Sequence, residues 1–152
     1  MPERLEDWDI EILDKLVQLR DIEGETFDFK GTKLSGLEEH ICAMANTSGG
    51  QIVLGVDEIT DSSGNLLGFK KMGFSQGKED DIGLDIGNAM FKIDPVPKLG
   101  IRHIADEAEK KFYTVLKVEI YDIDRPYFFK QMQPAEERLR QRLANIIKSL
   151  IE

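Results

Sequence analysis

The sequence predicts an α+β domain: a mixed β-sheet of two hairpin-like halves flanked by helices, with an amphipathic helix at each end of the chain. Three observations predict it. A helical apolar period from Leu37 to Asn46 stops at Gly49-Gly50 and runs directly into the dense β-branched stretch Gln51 to Val56. Phe112 to Ile120 alternates strictly, placing Phe112, Thr114, Leu116, Val118 and Ile120 on one face, as a strand does. Leu139, Leu143, Ile146, Ile147 and Leu150 form a helical stripe beside Arg138, Arg140, Arg142 and Lys148. A chain of 152 residues, 41% apolar, suits one domain that buries roughly two-thirds of its unfolded surface.

The elements follow in order. Trp8, Ile12, Leu13, Leu16 and Val17 recur at helical steps, predicting a helix from about Asp7 to Leu19. Phe27 and Phe29 share one face of a short strand within Glu23 to Lys30, which Gly31 ends. Ser35 and Glu38 fit a capping box for the helix from Leu37. Ile52, Val53, Leu54 and Val56 suit a strand buried on both faces, and the turn Asp61 to Asn65 returns it as a hairpin through Leu66 to Phe69. Glu79 to Phe91 reads as a helix with Ile82, Ile86, Ala89 and Met90 on one side, ended by Asp94-Pro95-Val96-Pro97. Leu99 to Ile104 and Phe112 to Ile120 form a second hairpin across the short polar link Ala105 to Lys111. Tyr127 to Phe129, after Arg125-Pro126, reads either as an edge strand packed on the core or as a base-stacking cluster between Arg125 and Lys130. The organisation is thus an N-terminal helix over 1–22, a main domain over 23–130 and a terminal helix over 134–152.

Composition limits the function. The single Cys42 has no intrachain partner, no stretch reaches the roughly 20 apolar residues of a membrane span, and the acidic N-terminus lacks a signal-peptide core. A cytoplasmic protein with no membrane contact is expected. The net charge of −9 opposes nucleic-acid binding, yet Lys92 to Lys117 holds six bases against four acids. Gly77-Lys78 is followed by Glu79, so the phosphate-loop pattern is absent. His40, Cys42 and His103 have no zinc spacing, and no nucleophile elbow accompanies the two histidines. Glu23, Asp28 and Asp57 stand near predicted strand ends, where grouped carboxylates hold Mg²⁺ or Mn²⁺ for phosphodiester hydrolysis; in a chain with 29 acids such a triplet also arises by chance.

Glu23-Gly24-Glu25-Thr26-Phe27-Asp28-Phe29-Lys30 resembles the opening signature of the Schlafen-type AlbA domain. Ala45-Asn46-Thr47-Ser48-Gly49-Gly50 is similar to that family's A-N-[ST]-x-G-G element, Ile52 to Asp57 to its strand ending in G-V-D, and Leu67-Gly68 to its hydrophobic-Gly return. The likeness extends more generically to Phe129, while Gln133-Pro134 and a helix replace the usual Tyr-x-Arg-x-Gly ending. The resemblance implies a compact mixed sheet that binds RNA or DNA. It also implies that Glu23, Asp28 and Asp57 match the carboxylates with which Schlafen proteins cut RNA using a divalent metal, Asp28 being one methylene shorter than the commoner Glu. Lys30, Lys92, Lys98, Arg102, Lys110 and Lys111 are the expected nucleic-acid contacts. A homodimer is expected to form the groove that fused lobes build elsewhere, and the terminal helix either joins the dimer or lies on its own domain. The alternatives are a metal-dependent ribonuclease and a protein-interaction module.

Overall fold

The computed structural model describes residues 1–19, 22–120 and 126–129, together with Ile146, Ile147 and Leu150. The expected helix over 134–152 lies outside these residues except for those last three, which are helical and exposed. Arg125 and Lys130 also lie outside them.

The fold starts from a strand-helix-strand unit. β1 (Phe27–Lys30) leads through α2 (Leu37–Ala45) to β2 (Gly50–Leu54), which pairs parallel to β1 with Phe27 opposite Gln51. The glycines that end α2 make this possible. Gly49 takes a left-handed φ of 69° and its N–H donates to Met44 O at 2.8 Å, closing the helix. At Gly50 a Cβ would collide with the backbone of Thr26, so glycine lets the strands meet, and Gln51 N donates to Thr26 O. β2 then pairs antiparallel with β8 (Lys111–Val118), whose other flank is filled by β7 (Leu99–Asp106). β5 (Phe74–Ser75) also pairs with β8, at its first residues.

This sheet is covered on both faces. Ile52, Leu54, Phe112 and Leu116 pack on α2 and on α3 (Glu79–Met90) through Leu37, Ile41, Ile82 and Ile86. Val53, Tyr113, Val115, Phe27 and Phe29 pack on Trp8, Leu13 and Leu16. β8 is therefore buried on both sides, although its alternation marked only one.

The N-terminal helix is shorter than its period predicts. A 3-10 turn at Leu5–Asp7 precedes α1 (Ile10–Leu16), because Asp9 caps α1 by accepting from Ile12 N. Trp8, between them, is buried; its indole N–H donates to Gln51 Oε1 at 2.7 Å, and Gln51 Nε2 donates to Pro2 O at 2.8 Å.

Two other expectations are corrected. Ser35 and Glu38 form no capping box: Gly36, left-handed, is the N-cap, and Glu38 is buried with Lys92 3.7 Å away. The stretch Gln51 to Val56 is not one strand. Gly55, at φ 104°, turns the chain out of the sheet, and Val56 instead begins β3 (Val56–Thr60), which pairs with β4 (Leu66–Lys71) as a separate two-stranded ribbon. The expected hairpin exists, but its first strand is β3.

Of the aromatic cluster, Tyr127 is buried in the core while Phe128 and Phe129 are exposed in β9 (Phe128–Phe129), paired with β6 (Ile93–Asp94). Asn46 fixes this segment. Its Oδ1 accepts from Tyr127 N at 2.7 Å and its Nδ2 donates to Tyr127 O at 3.0 Å, so one side chain pairs with a backbone as a strand would. Among the described residues no helix is long and apolar enough to cross a membrane.

Candidate functional site

A cleft of about 420 Å³ opens at the carboxyl ends of β1 and β2, lined by Asp28, Phe29, Lys30, Gly31, His40, Val56, Asp57 and Glu58. Crevices at that end of parallel strands are where α/β sheets commonly take ligands. Period-two alternation puts Phe27 and Phe29 into one core and turns Asp28 and Lys30 to the opposite face, toward α2. There His40 Nδ1 lies 2.9 Å from Asp28 Oδ2. Asp57 reaches the cleft from β3 and lies against Gly31, where any Cβ would collide with its Oδ1.

Glu23 stands beside this cleft, half-buried. Its Oε2 accepts from Phe29 N at 3.1 Å, and Gly24 N donates to Phe27 O at 2.9 Å. These two bonds cover the outer edge of β1, which otherwise presents unpaired groups. Burial, and then the neighbouring Asp28 carboxylate, push the Glu23 carboxyl up to about 8, so it carries a proton at neutral pH. Asp28 moves the other way. Burial opposes its charge, but hydrogen bonds from His40 and from protonated Glu23 outweigh burial and hold it below the usual carboxylate range. Glu23 also meets the Glu58 side chain.

Of the predicted carboxylates, Asp28 and Asp57 share the cleft and Glu23 touches Asp28 from its flank. Among the described residues no group of three or more His, Cys, Asp or Glu is arranged to hold a metal ion. The chemistry accounts for this: Glu23 is bonded to a backbone amide and to Asp28, and Asp28 is bonded to His40. The site as it stands therefore does not fit Mg²⁺ or Mn²⁺.

The predicted cations are dispersed. Lys30 lines the cleft. Lys92 faces Glu38, and Lys111 Nζ donates to Met72 O at 2.9 Å. Lys98 precedes β7, Arg102 is exposed at its middle, and Lys110 occupies the β7–β8 turn at φ 53°. His40 and Glu58 are site residues that spacing missed. His40 lies three residues after buried Leu37 and four before buried Met44, at the border of the apolar stripe, and that position was the available signal.

Fold and cleft together define a mixed α+β domain with a polar, open site at the carboxyl ends of a parallel strand pair. A solution NMR structure, the N-terminal domain of the "Putative ATP-dependent DNA Helicase RecG-related Protein" of Nitrosomonas europaea, has the same fold: TM-score 0.61, 21% identity, covering 81% of this chain and 80% of that one. The model of the family described as "Schlafen, AlbA_2" matches residues 23–145, and the chain belongs to that family. No curated protein matches it.

Proposed function

We propose that this chain is a nucleic-acid-binding domain. The observation that carries the reading is the open cleft flanked by Lys30, at the carboxyl ends of β1 and β2, in a chain of the Schlafen AlbA_2 family. The related fold in a protein named for DNA helicase activity agrees with it. Anisotropy of labelled single-stranded RNA, single-stranded DNA and duplex DNA tests it. Binding at about 50 mM salt should weaken steeply by about 200 mM, since phosphate contacts release counterions. No salt-sensitive binding to any of them overturns the reading.

Metal-dependent cleavage of RNA by Glu23, Asp28 and Asp57 is the second reading, supported by Asp28 and Asp57 lining one cleft with Glu23 touching Asp28 from beside it. It requires those carboxylates to exchange their present hydrogen bonds for a metal. Cleavage of RNA that needs Mn²⁺, stops with EDTA and is lost in Asp28→Ala supports it; cleavage indifferent to EDTA, or none, removes it. A homodimer would set two clefts on one assembly, and sedimentation at assay concentrations reads that directly.

A further inference from the structure

The acids and bases around the cleft are not mixed at random. Its lining carries the carboxylates Asp28 and Asp57, in a protein of net charge −9, and repels a phosphate placed there, while Glu58 alternates to the Phe69 face of the ribbon. Lysines stand around those carboxylates. Lys30 lines the cleft itself. Lys33 is exposed in the loop that leaves the cleft at Gly31, the residue packed against Asp57. Lys70 is exposed and directly opposite Asp57 across the β3–β4 ribbon, so both side chains share one face. None of these lysines forms an ion pair among the described residues.

The neighbouring Lys71 shows what a structural lysine looks like in this ribbon. Alternation turns it to the opposite face, where its Nζ meets Asp14, lies 3.6 Å from Asp106 and sits 5.7 Å from the centre of the Tyr113 ring. One strand thus spends one lysine on the fold and leaves the next facing solvent.

The face carrying Asp57 and Lys70 continues outward. Ile59, 42% exposed, follows on it, opposite Gly68, above which there is open space. The cleft and ribbon therefore present cations at the rim, hydrogen-bond acceptors on the floor and an apolar step beyond. Carboxylates accept from the N–H groups of base edges, and lysines hold phosphates. A duplex presents its base edges only inside its grooves, whereas a single strand leaves its Watson–Crick donors free to reach the carboxylates.

We infer that the outer face of the β3–β4 ribbon is the track for a single-stranded nucleic acid, with phosphates on Lys30, Lys33 and Lys70 and a base edge turned toward Asp28 and Asp57. This rests on the nucleic-acid reading above and adds to it the face, the residues and the strandedness.

The test uses the full chain and a fluorescein-labelled single-stranded oligonucleotide, as DNA and as RNA, beside the matching duplexes. The variant Lys33→Glu with Lys70→Glu changes exposed side chains only, and its melting curve should match wild type. It should bind single strands roughly tenfold more weakly, and lower the slope of log K against log salt by about 1.4, or about 0.7 for each lost phosphate contact. The control, Lys15→Glu with Lys78→Glu, changes exposed cations in the last turn of α1 and at the N-cap of α3 and should bind within about twofold of wild type. Three results overturn the inference while leaving the domain a nucleic-acid binder: undiminished binding by the rim variant, a larger loss in the control, or tighter binding of duplex than of single strand. No binding by wild type overturns the broader reading as well.

Discussion

On one face of the main sheet, Ile52, Leu54, Phe112 and Leu116 meet α2 and α3, which lie inside the family span of residues 23–145. On the other face, Phe27, Phe29, Val53 and Val115 meet Trp8, Leu13 and Leu16, which precede that span. The first cover is close in sequence to the strands it seals, and the second arrives from outside. Both exclude water equally well, with Trp8 1% and Ile41 0% exposed. The family signature therefore marks the sheet, α2 and the cleft, while half of the hydrophobic cover rests on residues the signature does not include.

The strongest way to break this comparison is Trp8→Ala. It removes a fully buried indole, its stacking on Phe27 at 6.2 Å and the donor to buried Gln51, and should cost about 3–5 kcal/mol in urea unfolding. A loss below about 1 kcal/mol would show that residues 1–19 are an ornament on a self-sufficient family core. Asn46→Ala strikes the helical face instead. It leaves the N–H and C=O of Tyr127 without this partner and should cost about 1–3 kcal/mol, with faster amide exchange at Tyr127.

The smallest effect concerns the edge of β1. Folding raises the Glu23 carboxyl above its unfolded value, so its contribution to stability is complete below about pH 4.5 and declines as pH rises toward about 8. The melting temperature of wild type should fall across that window, and Glu23→Gln, which stays neutral, should flatten the fall. Asp28 has the opposite sign: held below its ordinary value, it lends stability that is lost only as the solution becomes strongly acidic. An identical slope in wild type and Glu23→Gln would place the proton elsewhere.

Much of the fold was legible because its signals are local. The glycine stop after α2, the alternation of β8, the β7–β8 hairpin and the helical period of α3 each depend on neighbours in sequence. What escaped depends on contacts made at a distance. Gly55 looks like an ordinary strand glycine until its φ of 104° and the return of Gly73 beside it are seen. The capping box failed because Glu38 is turned into the interior near Lys92, 54 residues later, as Gly36 takes the cap. At the site, Asp28, Asp57 and Lys30 were readable as residue types. Their neighbours were harder to read: His40 is marked only by its half-buried place at the border of the α2 apolar stripe, and Glu58, one carboxylate among 29, carries no local mark of where the sheet will bring it.

The departure at Gly55 also makes the β3–β4 ribbon a module. The carbonyl of Gly55 accepts from both Met72 N and Gly73 N at 2.9 Å, so the chain leaves and re-enters the domain at one point. The intervening residues 56–72 form a closed excursion whose tip is tied by Asp61 to the amides of Ser63 and Asn65. Lengthening that tip leaves the register of the main sheet unchanged. The loop at 61–65 can therefore change length while the scaffold stays constant, and it is the natural point for inserting a new segment.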